Sequence, residues 1–347
     1  MEFRIFTITL NPSLDRFVWD YRDKRQKDRR KYVEVAGGKG ICVSRALANL
    51  GIDNTAIAFY GCNTGERLLG KINEHTLNSL GVITPEFIKI KGCTRQNVIY
   101  NYLDSKKQVI YKFEGPKIED DEKQSLTDTI SKISTNNICQ TIAVIGGSLP
   151  DKLDPDYMND MINNLKKNGI IIILDASGDA LRSGVKSQPH VIKPNFKEVK
   201  SIWGSRLKSG SNRDLAKLAQ WIQSEYCIEI VLISIGPRGI ILVTKDQELI
   251  GIPPSLKKLP LSPNLEIRNN VGAGDSSIAG FIYGWKNQNV NFSDLDLPKQ
   301  LKYSVAAGTA TTLLEEPTLC NKDDFDKLIG KVIIKDPITG KEIYSVN

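Results

Sequence analysis

Residues 170–175, I-I-I-I-L-D, constrain the fold more than any other stretch of the chain. A run with no polar face must be covered on both sides, as a central strand of a parallel sheet is. Other short runs read the same way: residues 3–10, alternating and β-branched, then 54–60, 141–147, a short piece at 190–193, and 228–235. Helical patterns lie between them. Residues 41–50 carry one apolar face and end at Gly51. Residues 64–80, 155–168 (with Gly169 as the stop), 214–225 and 301–314 continue the alternation, and another helix begins at Asn195-Phe196-Lys197-Glu198. Strands alternating with helices predict βαβ units, and so an α/β fold with a doubly wound, mostly parallel sheet and helices on both faces. Residues 97–103 and 108–113 predict a hairpin. At 347 residues the chain is at the upper edge for one domain, and a single domain over 1–347 is expected. Open α/β sheets bind ligands at the carboxyl ends of their strands, and the glycine-rich turns fall there.

The stretch 269–284, N-N-V-G-A-G-D-S-S-I-A-G-F-I-Y-G, reads as a glycine-rich turn opening a helix. Free N–H groups at a helix start attract anions, and glycine lets the backbone approach a ligand closely. Asp275 would repel a phosphate there, which makes sense if it takes a proton from a hydroxyl attacking that phosphate. The amides of Gly272, Ala273 and Gly274 would then stabilise the charge that develops. The helix dipole predicts that Asp275 stays ionised. The plainer reading is an acid favoured in the first turn of any helix.

V-G-A-G-D-S-S-I-A-G resembles the signature of the ribokinase-like PfkB carbohydrate kinases. Further segments match that family in the same order: T-I-T-L-N-P-S-L-D near the start, A-G-G-K-G-I at 36–41, T-R-Q-N at 94–97, G-G-S-L-P at 146–150, L-D-A-S-G at 174–178, K-P-N-F-K-E at 193–198 and S-I-G-P-R-G at 234–239. Within the family the chain is most similar to kinases of phosphorylated ketohexoses: 1-phosphofructokinase, tagatose-6-phosphate kinase and the minor 6-phosphofructokinase. T-R-Q-N and the late T-L-C-N-K-D-D segment look most like the last of these, and A-G-G-K-G more like the first two.

The resemblance implies ATP as phosphoryl donor and a ketohexose phosphate as acceptor. It implies that Asp15 binds sugar hydroxyls, that Gly37 and Gly38 admit the sugar, and that Ser148 belongs to the same subsite. Lys39 and Arg95 would hold the acceptor's phosphate, an arginine being able to grip it with two hydrogen bonds. Cys42 stands where the family has asparagine, and a thiol is a poor hydrogen-bonding group, so one sugar contact is expected to differ. Asn195 and Glu198, three apart on one helix face, would order Mg2+ partly through water. Ser234, Gly236, Gly239 and Asn270 would bind the nucleotide, and Ala307 and Gly308 would leave a slot for adenine. Close helix packing explains those last two equally well. Lid strands at roughly 14–36 and 92–115 would cover the sugar, and the lids of two subunits would pack as a homodimer.

Composition excludes little else. The chain is 40% hydrophobic and 25% charged with a net charge of +7, and acids are mixed with the bases. Nucleic acid is therefore not indicated. The dense basic run at 22–31 reads as a solvated loop. Six cysteines lie singly, with no C-x-x-C, so neither zinc nor a disulfide is expected, and reduced thiols suit the cytoplasm. No stretch approaches the ~18 apolar residues of a membrane span. A nicotinamide-dependent oxidoreductase fails because Ser277 stands where G-x-G-x-x-G needs its third glycine. A non-catalytic sugar-phosphate sensor, or a kinase for another sugar or nucleoside, are the remaining alternatives. No Walker pattern is present, and two histidines away from any serine or cysteine motif give no hydrolase triad. The insert at 255–264 is a loop with no assigned role.

Overall fold

The computed structural model describes residues 2–21, 29–102, 107–134, 140–255, 271–314 and 317–344. Two sheets organise them. The first strands of the large sheet are β1 (Phe3–Thr9), β4 (Asn54–Tyr60), β5 (Ile83–Lys89), β8 (Gln140–Gly147), β9 (Ile171–Ala176), β10 (Val191–Ile192) and β11 (Ile230–Ser234). They pair in parallel in the order β11-β10-β9-β8-β1-β4-β5. Beyond β11 the sheet continues through β12 (Ile240–Val243), β13 (Glu248–Ile252), β14 (Ile333–Lys335) and β15 (Glu342–Tyr344), all antiparallel. The parallel part of the sheet holds seven of the eleven strands, as the apolar runs require.

The isoleucine run shows why both faces must be covered. Ile172 and Leu174 point into one core, with the helices α3 (Asp120–Ser134), α4 (Asp156–Lys167), α5 (Asp179–Gly184), α6 (Phe196–Trp203) and α7 (Asn212–Glu225). Ile173, between them, points into the other, with α1 (Lys39–Asn49), α8 (Ala273–Gln288), α9 (Leu297–Thr312) and α10 (Lys322–Ile329). Alternation with period two sends neighbours to opposite faces, and here both faces are dry. The remaining helix, α2 (Cys62–Asn78), packs with α1 on a third cluster that includes Leu14, Ala36, Ala56 and Leu68.

The second sheet has four strands, β2 (Ser13–Tyr21), β3 (Arg29–Gly37), β6 (Arg95–Tyr102) and β7 (Lys107–Tyr111), in the order β3-β2-β6-β7. β6 and β7 form the hairpin read from the sequence, although its turn at 103–106 lies outside the described residues. Most of the basic run at 22–31 and nearly all of the 255–264 insert lie outside them too.

One sequence expectation fails outright. Cys62 and Cys93 form a disulfide, although 31 residues separate them. Single cysteines with no local motif gave no sign of it, because the pairing depends on where α2 starts relative to the loop before β6. Cys42, Cys227 and Cys320 are free thiols. No helix among the described residues is long and apolar enough to cross a membrane.

The α8–α9 contact brings the glycine-rich turn to the sheet. A Cβ on Gly280 would lie 2.3 Å from the Tyr303 carbonyl oxygen and 2.7 Å from the Ala307 Cβ. The small residues of α9 thus serve close helix packing, and Ala307 is fully buried there. Gly280→Ala should destabilise the protein by about 1–3 kcal/mol, as overpacking does. Urea unfolding checks this; an unchanged midpoint would show that the two helices separate at no cost.

Candidate active site

Five turns meet at the carboxyl ends of β1, β8, β9, β10 and β11. The first two build an acceptor-sized hollow. Asn11 follows β1, and its Nδ2 donates to Ser148 Oγ at 3.1 Å and to the Leu149 carbonyl at 2.9 Å, tying the β1 turn to the β8 turn. Asp15, at the start of β2, accepts from Ser13 Oγ at 2.7 Å and from Asn97 Nδ2 at 2.8 Å. Burial raises its pKa although both donors and the cations of Arg95 and Arg45 oppose it. Gly37 must be glycine: a Cβ would stand 2.2 Å from Asp15 Oδ2. Gly38 has a left-handed φ of 108° and caps α1, and a Cβ on it would meet Thr9 Cγ2 at 2.7 Å.

Arg95 opens β6. Its guanidinium donates to the carbonyls of Asn11 at 2.9 Å, Pro12 at 3.4 Å and Phe113 at 3.3 Å. These are carbonyls rather than carboxylates, so its charge stays available to an anion. Arg95, Asn11, Lys112, Gly115, Ser148 and Asp151 line a cavity of about 290 Å3.

A second cluster lies across the sheet end. Lys39 does not join Arg95 in that cavity. Its Nζ pairs with Asp175 Oδ1 at 3.0 Å and with Glu198 Oε1 at 2.9 Å. Burial would lower its pKa, but Asp175, Glu198 and Asp275 raise it further than burial lowers it. Asp175 is fully buried, and its Oδ2 lies 3.3 Å from the Nζ of Lys193, a side chain only 3% exposed. Neither Asp175 nor Lys193 was assigned a role from the sequence. The signal was there: a charge that ends an apolar strand has left water at a cost and needs a partner.

Asn195 and Glu198 form a reciprocal cap on α6. Glu198 N–H donates to Asn195 Oδ1 at 3.0 Å, and Asn195 N–H donates to Glu198 Oε2 at 2.8 Å. The plain capping role is therefore real. The same glutamate also faces Lys39, so it is not simply a solvent-facing cap.

Gly272, with φ of 82°, turns the chain into α8, and Asp275 stands in the first turn. A Cβ on Gly274 would come within 3.2 Å of Lys193 Nζ, so this lysine stands against the helix start. The Asp275 carboxyl hydrogen-bonds the Cys42 thiol and feels the charges of Lys39, Lys193 and Asp175. The expectation that the helix dipole keeps it ionised does not hold. Burial, with repulsion from Asp175, pushes its pKa up to about 7 against the pull of both lysines. Desolvation of a whole carboxylate outweighs the half-charge of a helix end. Cys42 is likewise pushed well up, first by burial and then by Asp275.

The nucleotide residues are more dispersed. Ser234 ends β11, Gly236 and Gly239 have left-handed φ values of 62° and 107°, and open space surrounds the Cβ position of Gly236. A Cβ on Gly239 would strike the Gly251 carbonyl oxygen at 1.8 Å, so that glycine is also needed for the fold. Gly308 keeps some open surface, and a Cβ there would stand 3.0 Å from the Ala273 carbonyl oxygen. Buried Ala307 offers none. Asn270 lies outside the described residues.

The profile of the pfkB family carbohydrate kinases matches residues 8–324. The chain belongs to that family. It is 30% identical over 337 residues to 1-phosphofructokinase of Borreliella burgdorferi, covering 96% of this chain and 99% of the relative. It is 29% identical over 336 residues to tagatose-6-phosphate kinase of Staphylococcus epidermidis, covering 94% and 98%. The structure of Escherichia coli phosphofructokinase-2 in complex with substrates and products superposes with a TM-score of 0.78 at 30% identity, over 94% of this chain and 98% of that one. The protein is thus a sugar-phosphate kinase with a ribokinase-like fold, and ATP is the substrate such kinases share.

Asp175 and Glu198 flank the Lys39 ammonium, and Asp175 also pairs with Lys193, so both carboxylates are already matched by charge. No group of three or more His, Cys, Asp or Glu able to hold a metal occurs among the described residues. Asp275 can accept a proton only when deprotonated, and its pKa is pushed up to about 7. Activity limited by this base should therefore rise with pH and level off above about 7. The check is kcat/KM against pH. A profile flat down to about pH 5, where an ordinary aspartate is still ionised, would exclude it.

Proposed function

We propose that this kinase transfers the terminal phosphoryl group of ATP to a hydroxyl of a ketohexose phosphate, giving a bisphosphate. Fructose 1-phosphate, fructose 6-phosphate and tagatose 6-phosphate are the candidate acceptors, in keeping with the names of the relatives. One observation carries the reading: a carboxyl, Asp275, sits in the first turn of α8, with the Lys193 ammonium against the same turn. A base and an anion hole at one helix start serve a hydroxyl attacking a phosphorus.

In this reading Asp15 accepts from the sugar's hydroxyls, and Gly37 and Gly38 keep the space beside it. Arg95 and Ser148 bind the acceptor's own phosphate in the cavity that they line. Asp275 takes the hydroxyl proton. The amides of Gly272, Ala273 and Gly274, with Lys193 beside them, stabilise the transferring group. Lys39, on Asp175 and Glu198, sets the position of the two carboxylates nearest the reaction. Bound Mg2+ would supply charge neutralisation of the phosphates, held through Glu198 and Asp175. Ser234, Gly236, Gly239 and Gly308 line the nucleotide's side. Cys42, touching Asp275, tunes the preference among ketohexose phosphates.

The four-stranded sheet acts as a lid in a single domain, excluding water so that ATP is not hydrolysed. Tyr32, Ile110, Tyr111 and Phe113 on or next to it are exposed apolar side chains. They support docking of a second copy through the lid. A cytoplasmic location accords with a soluble sugar-phosphate substrate.

Kinetics with ATP and each of the three ketohexose phosphates test the substrate class, and no turnover with any of them would overturn it. Asp275→Asn keeps the shape and removes the base. Its kcat should fall by about 10²–10⁴-fold, with both substrates still bound in equilibrium measurements. A near-normal kcat would sink the mechanism.

Arg95→Ala addresses the anchor. The acceptor's KM should rise by the equivalent of about 2–4 kcal/mol, while nucleotide affinity stays the same. An unchanged KM would mean the phosphate is held elsewhere.

A further inference from the structure

Two sulfurs stand next to the acceptor hollow without belonging to it. Cys62 begins α2, Cys93 lies in the loop between β5 and β6, and both are exposed. Beneath them is a backbone joint. Gly61 N–H donates to Thr94 Oγ1 at 3.0 Å, and Thr94 N–H donates to the Gly61 carbonyl at 3.1 Å. A Cβ on Gly61 would lie 1.9 Å from the Gly92 carbonyl oxygen, so the two chains touch main chain to main chain. Thr94 is buried, and it alone separates Cys93 from Arg95. The guanidinium of Arg95 then has to meet three carbonyls from two different turns at once.

We propose that the Cys62–Cys93 disulfide is a positioning crosslink for Arg95, and that its reduction weakens capture of the acceptor's phosphate. The proposal rests on the reading of Arg95 as that phosphate's anchor. The crosslink fixes the Cα of Cys93 4.9 Å from that of Cys62 at the head of a packed helix, so β6 enters its sheet from a fixed point. Without it the exposed part of the loop, Lys91 to Cys93, is held by the Thr94 pair and by Lys91 N–H donating to Glu122 Oε1 at 2.6 Å. A small displacement at an anchor is felt strongly in substrate positioning. Asp275 and the Lys39, Asp175, Lys193 and Glu198 cluster sit on other elements, and no hydrogen bond or ion pair above links them to this joint, so the chemical step is left alone.

Reduction is a thiol–disulfide exchange with a dithiol. One thiolate attacks one cystine sulfur, and the second thiol closes the reductant's own disulfide. Two electrons and two protons end on Cys62 and Cys93. Both residues are exposed. Binding linkage then demands reciprocity: whatever factor reduction costs the sugar phosphate, bound sugar phosphate must add to the stability of the disulfide.

The test uses the full chain, oxidised and then reduced with dithiothreitol, with peptide mass mapping to follow the Cys62–Cys93 link. Reduction should raise the acceptor's KM at least about fivefold, the low end of coupling between linked sites, with kcat and the KM for ATP unchanged. Reoxidation should restore it. Cys62→Ser with Cys93→Ser should match the reduced enzyme and no longer respond to the dithiol. Should that variant not fold, the wild-type redox titration stands by itself: saturating acceptor should move the midpoint to lower potential, by about 30 mV for a tenfold coupling, and ATP should not. The inference falls if the link does not form, if KM is the same in both states, if kcat alone falls, or if acceptor leaves the midpoint in place. An Arg95→Ala enzyme with raised KM beside a wild type indifferent to reduction sinks this inference alone. Unchanged KM in Arg95→Ala sinks the anchor reading, and with it the mechanism proposed for the disulfide.

Discussion

The site depends on one buried carboxylate. Asp175 stands next to the end of β9, an otherwise apolar central strand, and is fully buried, which would be prohibitive for an unpaired charge. It is held between two ammonium groups, Lys39 from the head of α1 and Lys193 from the turn after β10. Those two contacts draw three separate turns to one point. Glu198 then meets Lys39 from the other side, and α6 is capped in the same stroke because Asn195 and Glu198 exchange main-chain hydrogen bonds. Lys193 reaches the glycine at the start of α8, where Asp275 stands. Removing Asp175 would leave the buried Lys193 ammonium without its counter-charge beside Lys39, so the carboxylate sets the geometry of this cluster.

The architecture divides labour accordingly. The acceptor hollow is held by neutral contacts: Asn11 to the β8 turn, Arg95 to carbonyls, Asp15 to a hydroxyl and an amide. The catalytic centre is held by charge. Neutral hydrogen bonds leave Arg95 with its charge uncommitted, as an anion site requires. Ion pairs leave the lysines of the centre committed, so they shape the field felt by Asp275 before any ligand arrives.

Much of this was legible in the chain because its signals are local. An apolar run ending in Asp175 specifies a central strand, and N-x-x-E specifies a capped helix. The glycine-rich turn before α8 is likewise written in adjacent residues. What was not legible depends on distant parts of the chain. The Cys62–Cys93 bond joins residues whose approach is set by α2, β5 and β6 together. The pairing of Lys39 is of the same kind: the resemblance implies a ligand for the acceptor's phosphate, and only the folded sheet brings Asp175 and Glu198 to it. The antiparallel edge from β12 to β15 consists of strands of three to five residues, too short to announce their direction. The charge state of Asp275 was misread for the same reason: the dipole belongs to its own helix, but burial and Asp175 come from elsewhere.

That misreading bears on how such a centre works. The cluster holds two cations, Lys39 and Lys193, against three carboxyl groups, Asp175, Glu198 and Asp275. Burial first, and then repulsion from Asp175, push its pKa up to about 7, well above that of a surface aspartate, and a proton on Asp275 balances the set. Every phosphate brought close would push it further toward its proton, and so away from acting as a base. The opposing charge must come from cations near Asp275. The chain supplies two and has already committed both to Asp175. If Asp175 and Glu198 held a divalent ion, that ion would supply positive charge beside both the nucleotide and Asp275, favouring the ionised form of that carboxyl.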